Sequence, residues 1–298
     1  MKNSIFTLLL LLPLFCFCQG EKFDPETGFA EVNNTKLYYE VAGSGEVILF
    51  VHGNFGDCRH WDYQFKPLSE EYKVIRYDVR GYGKSANPDP EEVYYDYEDI
   101  KSLMDFLKIE KVHICGLSMG SGIAVDFALM YPERCHSLIP IGPWPSGYGT
   151  GEFTNDGTNM LWKVFGDVVK TLNEKGTKEA TDYWWTGTDF VKTSVRSDQT
   201  LNELLKMGYD YDFWGFKNQN KRSNPSPPAI NRLNEIKVPT LIVTAEYDMA
   251  PCITVADLMD KEMINAKKIS IKDAGHCMNM EKPKEFNAEL VNFIESLK

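Results

Sequence analysis

Lys111-Val-His-Ile-Cys-Gly-Leu-Ser-Met-Gly-Ser-Gly-Ile-Ala-Val125 is the stretch on which the reading of the whole chain turns. Its first five residues form a short, mostly apolar run of the kind found in a strand covered on both faces. From Met119 to Met130 the chain is rich in Ala and Gly and reads as a closely packed helix. Between them stands Gly116-Leu-Ser118-Met-Gly120. A strand that turns directly into a helix leaves no room for side chains at the flanking positions, which accounts for the glycines. The same turn lifts the Ser118 hydroxyl clear of the sheet, beside a helix N-terminus that favours negative charge. The bland alternative is a serine that caps a helix.

Working outward, Lys36–Val41, Glu46–Val51 and Tyr72–Tyr77 read as strands on the N-terminal side. Asp96–Leu107 places Ile100, Leu103, Met104 and Leu107 on one helical face. On the C-terminal side His136–Ile141 is a strand, after which strand character vanishes for about ninety residues. It resumes at Pro239–Ala245, followed by a helix near Thr254–Asp260, a strand at Lys267–Ile271 and a helix over Pro283–Leu297. Strands alternating with helices at this spacing predict an α/β fold with a mainly parallel sheet covered on both faces. The expected organisation is a core of residues 19–144 and 236–298, with 145–235 inserted as a helical cap. Pro and Gly are scattered, and no internal repeat marks a linker.

Of 298 residues, 43% are hydrophobic and 25% charged, ordinary globular values. The net charge of −11 argues against a nucleic-acid partner, which requires clustered Lys and Arg. No basic amphipathic stretch points to a membrane surface, so no stable membrane anchor is expected. Residues 1–18 read as a secretory signal peptide: Lys2, then an apolar run from Ile5 to Phe17 that is shorter than the roughly 20 residues a spanning helix needs. Cleavage between Cys18 and Gln19 predicts an exported protein, periplasmic or secreted. A lipoprotein signal acylated at Cys18 is disfavoured by bulky Phe17, and an uncleaved anchor is the other reading. The mature chain keeps five cysteines: Cys58, Cys115, Cys135, Cys252 and Cys277. An odd count leaves at least one thiol unpaired. A Cys252–Cys277 disulfide stays open, but buried free thiols are the preferred reading.

A serine hydroxyl is a poor nucleophile until a base takes its proton. Among five histidines, His113 and His136 fall in or beside strands and His60 lies in a helical stretch, and each is expected to be a packed or surface residue rather than a catalytic one. His52 opens a His-Gly-Asn-Phe-Gly turn. His276 lies in Lys272-Asp-Ala-Gly-His-Cys277, between the last strand and the last helix, at the sheet edge where Ser118 emerges. The third partner should be a carboxylate that fixes the histidine tautomer. Asp248 follows a buried strand in Thr244-Ala-Glu-Tyr-Asp248 and is preferred over its competitor Glu246. For a developing oxyanion, the expected donors are the backbone N–H groups of Met119 and Asn54.

His52-Gly53-Asn54, Asp78-Val-Arg-Gly-Tyr-Gly-Lys-Ser85, Gly116-Leu-Ser-Met-Gly120, and Gly275-His276 beyond Asp248 together resemble the α/β-hydrolase superfamily. The resemblance runs from about residue 30 to the end, in the expected order Ser, Asp, His. It implies an eight-stranded sheet and makes His52 and the Asp78–Ser85 turn scaffold. Ser118 departs from dehalogenases and epoxide hydrolases, which carry Asp at that place. Met119 departs from the Trp of prolyl aminopeptidases, and Ser121 from the Gly of many esterases. One fold hosts many reactions, so the implied activity is hydrolysis of carboxylic esters or lactones. Carbon–carbon bond hydrolysis, cofactor-free perhydrolysis and acyl transfer are alternatives on the same residues, and a non-catalytic binder is the remaining one. An aromatic-rich cap suits a small-molecule substrate with an apolar acyl or aryl group, although aromatics at these spacings also simply pack a cap. No His-Glu-x-x-His, paired Cys-x-x-Cys or complete phosphate loop occurs, so no metal or other cofactor is expected.

Overall fold

Alternate residues of the central strands point to opposite sides, and each side builds its own core. Ile48 and Phe50 face one apolar cluster while Leu49 and Val51 face the other, all four without solvent exposure. That period-two division explains why these strands read as unbroken apolar runs. The structure is a computed structural model that describes residues 23–218 and 221–298. The expected signal peptide, 1–18, lies outside the described residues.

The strands are β1 (Glu26–Val32), β2 (Thr35–Ala42), β3 (Val47–Val51), β4 (Lys73–Tyr77), β5 (Val112–Leu117), β6 (Cys135–Ile141), β7 (Thr240–Ala245) and β8 (Ala266–Ile271). They form one eight-stranded sheet in the order β1-β2-β4-β3-β5-β6-β7-β8. The β1–β2 and β2–β4 pairs are antiparallel and the others parallel. The α/β architecture read from the sequence is therefore the one observed. Strand β1 escapes a pattern reading because it is an edge strand in which only Ala30 is buried.

Helices α1 (Asp62–Leu68), α2 (Asp96–Phe106) and α3 (Met119–Met130) alternate with the first strands. Between β6 and β7 come α4 (Asp156–Lys175), α5 (Thr177–Thr186), α6 (Asp189–Lys192), α7 (Asp198–Asp210) and α8 (Trp214–Lys217). The chain then returns through α9 (Ala250–Glu262), α10 (Met278–Glu281) and α11 (Pro283–Glu295). One core packs α1, α11 and the α4–α8 segment; the other packs α2, α3 and α9. Helix α4 starts on a reciprocal capping box between Asn155 and Thr158, and Gly176, at φ 103, turns the chain from α4 into α5. No described helix is long and apolar enough to cross a membrane.

All five cysteines among the described residues are free and buried, so Cys252 and Cys277 form no disulfide.

Candidate active site

Ser118 sits at φ 54 and ψ −114, a conformation that non-glycine residues rarely adopt. Strain of this kind costs on the order of 1–3 kcal/mol and persists only where the surroundings impose it. Here β5 and α3 impose it by packing too closely for side chains. A Cβ on Gly116 would stand 2.1 Å from the Gly120 carbonyl oxygen, and one on Gly120 2.3 Å from that of Val51. The Ser118 N–H donates to the Ile141 carbonyl at 2.9 Å, tying the turn to β6.

Asp248 and His276 arrive from the ends of β7 and β8. The His276 Nδ1–H donates to Asp248 Oδ1 at 2.7 Å, and the Met249 N–H donates to the same oxygen at 2.8 Å. Both side chains are buried. Glu246 goes elsewhere: it is exposed, and its Oε2 accepts from the Asp273 N–H. Space for the pair comes from Gly142, at φ 50, where a Cβ would lie 2.6 Å from His276 Cε1 and 2.8 Å from Nδ1. Ser118 and His276 border one cavity, and no hydrogen bond joins their side chains. Hydrogen bonds of this kind are often long in unliganded sites and tighten with substrate.

The His52–Phe55 turn closes the other side. The Val79 N–H donates to His52 Nε2 at 2.9 Å, and Nδ1–H meets the Gly53 carbonyl, so this ring is neutral framework. Burial holds its pKa below the usual value. Asp78 accepts from the N–H groups of Cys58 and Lys84, and Arg80 is paired with Asp99 at 2.6 Å in a buried ion pair. Asn54 Oδ1 accepts from Tyr82 Oη and from the Phe55 N–H. The main-chain N–H groups of Asn54 and Met119 meet no acceptor among the described residues. Both residues border the cavity. The structure thus gathers Ser118, Asp248, His276, Asn54 and Met119 at one end of the sheet.

Some residues at the site carry no signal in the sequence. His60, expected as a packed or surface residue, is buried and lines the cavity. Its Nδ1 accepts from the Gly53 N–H at 3.2 Å, and burial pushes its pKa down to about 3. Glu281 fastens the histidine loop: one oxygen accepts from the Gly275 N–H at 2.6 Å, the other from the N–H groups of Arg196 and Ser197. The His276 N–H also donates to the Ser194 carbonyl at 2.6 Å, so the α6–α7 connection holds the histidine from above. Nothing short of the tertiary structure links these positions.

The cavity measures about 450 Å³. One wall is apolar, with Leu161, Trp162, Phe165, Trp184, Trp185 and Phe216 from the inserted helices. Polar groups line the cavity as well: Asp96, Asp126, Ser146, Arg222, Ser223 and Asn224. Ser146 donates to Asp126 at 2.6 Å, yet burial pushes that carboxyl up to about 7. Arg222 is ion-paired with Asp96. Phe55, fully buried beside Asn54, projects among Phe165, Trp184, Phe213 and Phe216 with ring centroids 4.6–5.9 Å away. The cap aromatics therefore serve both as packing and as cavity wall.

Residues 46–283 match a family model described as "alpha/beta hydrolase fold". The chain is 25% identical to 3-oxoadipate enol-lactonase 1 of Acinetobacter baylyi over 84% of its own length and 89% of that protein. It is 26% identical to the 2-hydroxy-6-oxo-6-phenylhexa-2,4-dienoate hydrolase of Comamonas testosteroni, over 89% and 93% of the two chains. Among solved structures, the enol-lactonase from Burkholderia xenovorans LB400 superposes with a TM-score of 0.72 at 23% identity, covering 90% of this chain and all of that one.

Proposed function

The chain belongs to the alpha/beta hydrolase fold family, and from that premise we propose that it hydrolyses carboxylic esters or lactones of small molecules through an acyl-enzyme on Ser118. The observation that carries the proposal is the buried His276–Asp248 pair, 2.7 Å apart, sharing a cavity with a strained Ser118 that is followed by an uncommitted N–H.

Ser118 Oγ attacks the substrate carbonyl and its proton passes to His276 Nε2. Asp248 keeps the other ring proton on Nδ1 and stabilises the imidazolium. The oxyanion takes the N–H groups of Asn54 and of Met119, the latter at the start of α3 where the helix dipole adds to the attraction. His276 returns its proton to the leaving alkoxide, then deprotonates a water that attacks the acyl-enzyme. Collapse releases the acid and restores Ser118.

The aromatic wall supports an apolar acyl or aryl group on the substrate. Carbon–carbon bond hydrolysis is the second reading. It draws on the Comamonas relative, whose name describes such a substrate, and on the polar groups that line part of the cavity, which suit an oxygen-rich group. Aryl esters assayed against vinylogous diketones separate the two. We further propose export, on the strength of the N-terminal Leu-rich run.

The test is intact-mass analysis after treatment with a fluorophosphonate probe. One adduct on the wild-type protein and none on Ser118→Ala is the expected result, with kcat in the variant lower by about 10⁶. An unlabelled wild type beside a labelled control hydrolase, with bound but unconverted ligand, moves the non-catalytic binder to the front.

A further inference from the structure

Cys252 stands in the first turn of α9, four residues after Asp248. Its Sγ, a carboxylate oxygen of Asp248 and a ring nitrogen of His276 all lie within 4.8 Å of one another, and all three residues are buried. Asp248 Oδ2 is buried with no hydrogen-bond partner among the described residues. Cys252 and His276 both border the cavity, so the cluster is reached by the substrate's own route. A thiol, an imidazole and a half-satisfied carboxylate are thus held together against the cavity wall.

We propose that Asp248, Cys252 and His276 form a latent binding site for a soft divalent cation of the zinc class, and that its occupancy switches the site off. Thiolate, imidazole and carboxylate are the donors that zinc takes, and three of them with an open fourth position make a tetrahedral site completed by water. Zinc bonds of about 2.0–2.3 Å set ligand atoms roughly 3.4–3.7 Å apart, so closing the cluster needs side-chain shifts of about 1 Å. Hard cations such as Mg²⁺ and Ca²⁺ prefer all-oxygen shells and do not compete here.

Binding releases the thiol proton to solvent and forms a metal–sulfur bond. His276 can ligate through either nitrogen, and both ways disable it as a base. Through Nε2, the lone pair that would take the Ser118 proton is occupied. Through Nδ1, the ring proton moves to Nε2 and the Asp248 bond is broken. A linear search for metal-binding patterns misses the site because its ligands come from two loops after different strands. Among the described residues the other buried cluster with a cysteine, Asp57, Cys58 and Asp78, has no histidine, and its carboxylates already bind Arg59 and the N–H groups of Cys58 and Lys84.

The test is calorimetric titration of Zn²⁺ into the purified protein, with Co²⁺ as a second probe read by its thiolate-to-cobalt absorbance. Neither readout involves substrate, so failure here leaves the Ser118 labelling result standing, and the converse also holds. One equivalent should bind the wild type and block fluorophosphonate labelling, with EDTA restoring it and Mg²⁺ having no effect. Cys252→Ser, which keeps the volume of the side chain close, should weaken binding at least tenfold, since even outer contacts of a metal site are worth 10–100-fold. Cys277→Ala should bind as the wild type does. The proposal is overturned if no heat and no cobalt–thiolate band appear, if Cys252→Ser binds as tightly as the wild type, or if Cys277→Ala is the variant that loses binding.

Discussion

Gly142→Ala leaves Ser118, Asp248 and His276 in place and strikes the wall behind the histidine. Residue 142 has φ 50, so an alanine there carries backbone strain of roughly 1–2 kcal/mol. The larger effect is local. The new methyl would lie 2.6 Å from His276 Cε1, where ordinary contact begins near 3.4 Å, so the ring must withdraw by the difference, about 0.8 Å. Retreat away from Gly142 is resisted by the 2.6 Å bond from the His276 N–H to the Ser194 carbonyl and by the buried Asp248 partner. A displacement of about 1 Å in a reacting group typically costs about 10²-fold in rate. The expected result is a fall in kcat/KM on an aryl ester of about 100-fold, a matching fall in the rate of fluorophosphonate labelling, and a melting temperature lower by only a few degrees. Steady-state kinetics beside the labelling rate make the assay, with circular dichroism to confirm folding. A folded variant that reacts within about twofold of wild type would refute the reasoning that the Gly142 wall sets the position of His276.

Asp126→Asn addresses the polar lining of the cavity. Ser146 bonds Asp126, Arg222 and Arg232 favour its charge and Asp96 opposes it, yet burial prevails and holds the carboxyl at about 7, well above 3.8. The folded state therefore binds the proton more tightly than the unfolded chain. The stability this gives is complete below about pH 4 and is lost as pH rises through 7. Asn keeps an acceptor for Ser146 without the charge, so the variant should gain up to a few kcal/mol over wild type at pH 8 and little at pH 4; denaturant midpoints at the two pH values check the sign. For export, the mass of the protein recovered outside the cytoplasm should begin at Gln19, and a chain that keeps residues 1–18 there would count against cleavage.

What the sequence made legible follows from how local each constraint is. The turn at Ser118 was readable because its glycines answer to the β5–α3 junction, which is contiguous in the chain. Asp248 is preferred over Glu246 in a stretch that directly follows a buried strand, and the structure places Asp248, not Glu246, against the histidine. Gly142, His60 and Glu281 carry no such signal because their partners lie on other elements. His60, expected as a packed or surface residue, props the Gly53 N–H from within the cavity wall. Even the aromatic tract of the insertion divides only in three dimensions, with Trp184 and Trp185 buried at the cavity while Tyr183 turns to Asp167.

Phe55 gives this arrangement a mechanical property. It follows Asn54 directly, sits at φ 58 with no surface exposed, and is gripped by rings from α4, α5 and α8. The inserted helices are therefore not a lid resting on finished machinery. They hold one end of a short lever whose other end is Asn54, the donor proposed for the oxyanion, so a change in how the helices pack is transmitted to that N–H. Exchanging this insertion for another would alter reaction rate along with substrate choice, unless residue 55 were exchanged with it.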